Sequence, residues 1–126
     1  MRAAEGTHSL ALLVQDAPYR SREVRASLDV ALAAAAMDFQ LEIYFRGAAI
    51  MQLAREMDGE TALLPAGYRA WAGLPELVDT GFFAEQGRLE QCANRGIELL
   101  LPVTGLSPEE WRRRWRLCDR AMVLYS

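Results

Sequence analysis

Short, uninterrupted apolar runs alternate along this chain with longer stretches in which apolar side chains recur every three or four residues. Residues 10–14 (LALLV) form the first run, the pattern expected of a strand buried on both faces. Asp16, Pro18 and Ser21 then mark a loop. From residue 22 to residue 37, Val24, Leu28, Ala31, Leu32 and Ala35 follow helical spacing among good helix formers. Residues 41–45 (LEIYF) predict a second strand, ending at Gly47. Residues 48–57 read as a short helix and 58–67 as a turn-rich loop. A helix over 67–77 is interrupted by Gly73 and Pro75. Residues 81–85 predict a third strand, and 87–95 a helix stopped by Gly96, a position that favours positive φ. Residues 97–101 predict a fourth strand. Ser107-Pro108-Glu109-Glu110 has the form of a helix start: a serine cap, a proline in the first turn and a glutamate three residues after the cap. That helix runs to about Cys118, and residues 121–125 (AMVLY) predict the last strand.

The order β-α-β-α-α-β-α-β-α-β predicts one three-layer α/β/α domain with a mainly parallel five-stranded sheet. The domain spans residues 9–126, after a flexible N-terminal segment of residues 1–8. Ligands of such sheets sit at the carboxyl ends of the strands. The candidate functional loops are therefore 15–21, 47–48, 86–88 and 102–107.

Composition narrows the chemistry. A chain of 126 residues, 52% hydrophobic and 25% charged, is one ordinary globular domain. All fourteen basic residues are arginine, so lysine Schiff-base chemistry and a P-loop are excluded. A net charge of −3 argues against nonspecific nucleic-acid binding. Two cysteines, Cys92 and Cys118, and one histidine, His8, do not readily make a closed zinc site. No metal and no cofactor are expected. The sequence shows no secretory leader, and its longest apolar stretch, 30–37, is too short to span a bilayer. The expectation is a cytoplasmic protein with reduced thiols and no membrane association.

Several stretches then resemble a known family when taken in order. They are residues 10–14; Ala17-Pro18-Tyr19; residues 25–35 with Leu28-Asp29 inside; residues 41–45 with Gly47; and Met51-Gln52-Leu53. Asn94-Arg95-Gly96-Ile97 and Cys118-Asp119-Arg120 continue the series. The chain resembles the DsrE/DsrF-like sulfur-relay family, its DsrF/TusC branch above all, over residues 10–125. The resemblance implies a DsrE/F-like, flavodoxin-like architecture and a role in carrying persulfide sulfur between proteins. Such relays serve tRNA thiolation, by 2-thiouridine formation, or sulfur oxidation. It implies an oligomer built from copies of itself or from related DsrE-like subunits. A sulfur-donor or sulfur-acceptor protein is a further partner, and tRNA is involved only indirectly. Active subunits of the family carry a sulfur-accepting cysteine where the third strand meets the next helix. Here that stretch reads Phe82-Phe83-Ala84-Glu85-Gln86-Gly87-Arg88, without a cysteine. Glu85, Gln86 and Arg88 thus mark the family's sulfur site. Cys92, further along the helix, is the remaining candidate carrier, and a scaffold-like subunit is the role implied. The alternatives are a homo-oligomeric module that binds a small ligand or nucleotide, and a homo-oligomer of unrelated role.

The individual residues leave two readings each. Cys92 has Arg88 and Arg95 near it in sequence, as a reactive thiol would, but shares an apolar stripe with Leu89 and Ala93. Cys118 falls on a stripe with Trp111 and Trp115, and a disulfide to Cys92 is not expected in a reducing compartment. His8 stands alone, with no nucleophile indicated as its partner. Arg20 and Arg22 could hold an anion together with the following helix N-terminus, although the loop lacks glycine. Arg112, Arg113, Arg114, Arg116 and Arg120 flank the two tryptophans as a phosphate-binding face or a solvated, partner-contacting one. Met51, Met57, Tyr68, Trp71, Phe82 and Phe83 exceed what one small core obviously needs, which predicts exposed apolar surface and an oligomer interface at Trp71, Phe82 and Phe83, the alternative being that they simply fill the core.

Overall fold

The computed structural model describes residues 8–15, 23–53, 70–99 and 101–124. Five strands form one sheet: β1 (Ser9–Val14), β2 (Gln40–Phe45), β3 (Thr80–Glu85), β4 (Thr104–Leu106) and β5 (Arg120–Leu124). Their order is β4-β3-β2-β1-β5 and every ladder is parallel. The helices are α1 (Glu23–Ala36), α2 (Ala70–Gly73), α3 (Gln86–Asn94) and α4 (Pro108–Leu117). Short 3₁₀ helices cover Gly47–Leu53 and Leu74–Glu76.

The first four strands step in one direction across the sheet. The chain then returns past all of them to place β5 beside β1. Right-handed crossovers put the helices of the forward steps on one face and the returning helix on the other. The packing follows that rule. Leu10, Leu12, Val14, Leu41, Ile43, Phe45, Phe82 and Ala84 face the main core, with Ala31, Ala34 and Ala35 of α1, Ile50, Leu53, Trp71, Leu74 and Cys92 of α3. Ala11, Leu13, Tyr44 and Phe83 face the other way, against Trp111, Trp115 and Cys118. Both faces of the central strands are thus covered, which is why LALLV and LEIYF read as near-continuous apolar runs.

Local signals set the helix ends. Ser107 and Glu110 form the expected capping box at the start of α4. At the end of α3, Gly96 takes φ +72°. Its N–H donates to Ala93 O at 3.1 Å and that of Ile97 to Cys92 O at 2.9 Å, the paired bonds of a Schellman ending.

The expected fourth strand is corrected. Ile97, Leu99 and Leu101 pack half-buried against the main core. The strand itself is Thr104–Leu106, paired with Phe83, Ala84 and Glu85. Leu99 makes only an isolated bridge, so among the described residues the run is buried without forming a strand. Gly105, which periodicity overlooks, lies under the Gln86 side chain, whose carboxamide occupies the place a Cβ would take.

The exposed aromatic patch is corrected too. Trp71 is fully buried and edge-on to Phe45 at 5.4 Å. Phe82 and Phe83 are each 6% exposed, one on either face of β3. Fully burying a phenylalanine stabilises by about 1.5–3 kcal/mol, so these rings serve the chain's own core. Met51 is half-buried against that core. Met57, Tyr68, the loop 58–67 and parts of the helices expected over 48–57 and 67–77 lie outside the described residues.

Candidate functional site

At the carboxyl edge of the sheet, α4 and the β3–α3 junction enclose a cleft of about 790 Å³. Its floor is Leu13, Leu106 and Val123, with Trp111 and Trp115 as one wall. Glu85, Gln86 and Gly87 form the opposite wall, and Arg46, Arg112 and Arg116 supply cationic groups. Ser107 and Pro108 close one end.

Hydrogen bonds hold the wall at β3. Glu85 occupies the N-cap position of α3 in an extended conformation, but its side chain does not cap the helix. Instead Glu85 Oε1 accepts from the Gly47 N–H at 2.9 Å, which joins the ends of β3 and β2. Gly47 has φ +59°, the turn that starts the 3₁₀ helix. Gln86 Nε2 donates to Glu90 Oε2 at 3.1 Å, one helical turn on.

The α4 wall is anchored from beneath. The Ser107 N–H donates to Glu110 Oε1 at 2.8 Å, and the Glu110 N–H donates to Ser107 Oγ at 3.2 Å. Those bonds, the backbone one first, hold the Glu110 carboxyl below its ordinary pKa. Tyr44 is the node between α4 and the sheet. Its ring lies 5.1 Å from Trp111, 5.2 Å from Trp115 and 5.1 Å from Phe83. The Tyr44 hydroxyl donates to Glu42 Oε1 at 2.6 Å, and Arg114 Nη2 meets Glu42 Oε2 at 3.2 Å. Burial, and then the bond to Glu42, raise the Tyr44 pKa well above the ordinary tyrosine value. Arg114 also lies 4.5 Å above the Phe83 ring, so it packs on the sheet while its side chain stays 46% exposed.

The DsrE/DsrF-like family model matches residues 8–82 of this sequence. The chain belongs to the DsrE/DsrF-like family. A curated relative, the Protein TusC homolog of Aliivibrio fischeri, is 30% identical over 118 residues, covering 90% of this chain and 97% of that protein. The two matches support the DsrF/TusC branch of the family. The crystal structure of the ychN protein from E. coli shares the fold, with a TM-score of 0.71 at 14% identity. That likeness covers 92% of this chain and 98% of the ychN chain.

Within this DsrE/DsrF-like domain the expected site residues separate. Glu85 and Gln86 line the cleft. Arg88 is exposed on the first turn of α3 and is not part of the lining. Cys92 is 7% exposed and packs in the main core, on the face of the sheet opposite α4. Its thiol does not reach the cleft. Cys118 is half-buried, and burial, followed by the charge of Glu42, pushes its pKa up to about 11. Both thiols are free of disulfides. Arg20 and Arg22 lie outside the described residues. His8 is exposed, its Nδ1 3.8 Å from Asp119, while the Ser9 N–H donates to Asp119 Oδ2 at 3.0 Å. That contact is at the amino edge of the sheet, away from the cleft. Among the described residues there is no cluster of metal-ligating side chains and no helix long and apolar enough to cross a membrane.

The cationic side of the cleft was not legible as such. Arg46 follows β2 directly, and Arg112 and Arg116 share an α4 stripe. Only the tertiary arrangement brings the three together.

Proposed function

We propose that this chain is a scaffold-like subunit of a sulfur-relay assembly, one that shapes and supports the assembly without carrying sulfur itself. Family membership in the DsrF/TusC branch supports the relay. The observation that carries the scaffold role is the absence of a thiol from the described cleft wall, where Glu85 and Gln86 stand, together with the burial of Cys92 behind the sheet. A persulfide carrier acts through its thiolate. The thiolate attacks the outer sulfur of the donor persulfide, a new S–S bond forms, and the donor thiolate leaves. That attack requires an accessible, ionised sulfur. Cys92 lacks the access, and the raised pKa of Cys118 keeps it protonated near neutrality.

The partners in this reading are related DsrE-like subunits or further copies of the chain, with a sulfur donor or acceptor protein. Transfer RNA is reached only through them. Neither the family nor the TusC relative supports a ligand-binding module unrelated to sulfur.

Intact-protein mass spectrometry after incubation with a persulfide donor tests the scaffold role, on wild type and on Cys92→Ser. The native chain gains no sulfur. A gain of one sulfur that disappears in Cys92→Ser makes Cys92 a carrier and refutes the role.

A further inference from the structure

The cleft combines an apolar floor with an unusual cationic balance. Among the described residues, Arg46, Arg112 and Arg116 line it, against one carboxylate, Glu85. The Glu85 carboxylate already accepts the Gly47 N–H. Arg114, the neighbour of these arginines on α4, is neutralised by Glu42. Among the described residues, by contrast, Arg46, Arg112 and Arg116 have no ion-pair partner. The floor and the tryptophan wall are apolar. A volume of about 790 Å³ falls within the range of clefts that hold small organic ligands.

We infer that the cleft binds a small organic anion: a flat or branched apolar body seated against Leu13, Val123, Trp111 and Trp115, with a sulfonate, carboxylate or phosphate facing the three arginines. The inference does not depend on the scaffold role. A non-carrier subunit and a carrier subunit would present the same cleft. The apolar body gains from burial over the floor. The anion gains from guanidinium groups that donate paired, charge-assisted hydrogen bonds. Neither part alone matches the lining. A purely apolar ligand leaves the arginines unused, and an inorganic anion leaves the floor wet.

The probe pair is 1-anilinonaphthalene-8-sulfonate and its uncharged analogue N-phenyl-1-naphthylamine, titrated into the full chain. Trp111 and Trp115 report on the cleft through energy transfer to the probe. The expected result is one saturable site for the sulfonate, bound about tenfold or more tightly than the neutral analogue, as a charge-assisted bidentate contact provides. Arg112→Gln with Arg116→Gln lowers the sulfonate affinity by about tenfold or more and leaves that of the neutral probe unchanged. Arg46→Gln, on a different element, lowers it independently, so misfolding of one variant leaves the question answerable. Equal affinity for the two probes overturns the inference, as does a sulfonate affinity unchanged in both arginine variants. An acidic peptide, acetyl-Glu-Leu-Glu-amide, is the last arm. If the peptide binds the cleft and the sulfonate does not, the cleft belongs to a segment of a partner protein and the small-anion assignment is refuted.

Discussion

Replacing Tyr44 by phenylalanine isolates the bond that ties the sheet to α4. Tyr44 is fully buried, and its hydroxyl sits 2.6 Å from Glu42 Oε1. A hydrogen bond to a charged group contributes about 1.5–3 kcal/mol. Glu42 keeps Arg114 on its other oxygen and has a side chain that is 22% exposed, so water can replace part of what is lost. The lower end applies, and Tyr44→Phe costs about 1.5 kcal/mol. With a urea m-value of about 1.5 kcal/mol/M, the midpoint falls by about 1 M. Tyr44→Leu costs more, because contacts to Phe83, Trp111 and Trp115 go as well. Each aromatic pair is worth about 0.5–1.5 kcal/mol beyond its buried area. Urea unfolding followed by both tryptophan fluorescence and far-UV circular dichroism measures the two losses. A Tyr44→Phe variant within about 0.3 kcal/mol of wild type, well below the expected range, refutes the hydroxyl's role. It would leave α4 held by ring packing alone.

Three further outcomes follow from the same geometry. The unfolded chain ionises its tyrosines near pH 10 while folded Tyr44 keeps its proton, so stability is intact below about pH 10 and falls above it. Tyr44→Phe flattens that alkaline decline in urea melts run across the range. Ser107→Ala removes the cap of α4 and costs about 1 kcal/mol by thermal or urea unfolding. Because folding lowers the Glu110 pKa, its contribution is present above the ordinary carboxylate range and is lost as pH falls through the lowered value. Ser107→Ala therefore also reduces the acid sensitivity of unfolding. Gly105→Ala brings a methyl onto the Gln86 carboxamide, the far end of an exposed side chain that swings aside, so the cost by urea unfolding stays below about 1 kcal/mol. A loss well above that shows that Gln86 is held in place between β4 and α3.

What could be read from the chain depends on the range of each interaction. LALLV and LEIYF identify β1 and β2 because burial on both faces leaves an unbroken apolar run. The Ser107 cap and the Gly96 stop are legible because their partners lie within a few residues. The same pattern of double burial misleads at Phe82 and Phe83. Two consecutive large rings look like a surplus until the sheet assigns one to each face. β4 is hidden by its length, three residues with a central glycine, next to a more apolar stretch that packs on the core with no more than an isolated bridge at Leu99 among its described residues. The pairing of Arg114 with Glu42 spans 72 positions and carries no local signal. The cleft is legible in half. The rule that sites lie at strand ends finds Gln86 and Ser107, but the convergence of Arg46 with Arg112 and Arg116 belongs to the tertiary structure.

A scaffold-like subunit supports the sulfur relay without using a thiol of its own. A cysteine-free chain, Cys92→Ala with Cys118→Ser, tests it in cells deleted for the wild-type chain. Isotope-labelled sulfur delivered to the relay's end product is the readout, with co-purification of the assembly as the check on folding. The account predicts wild-type sulfur delivery from the cysteine-free chain and little from the deletion alone. Delivery at the deletion level, from a variant that still assembles, contradicts it.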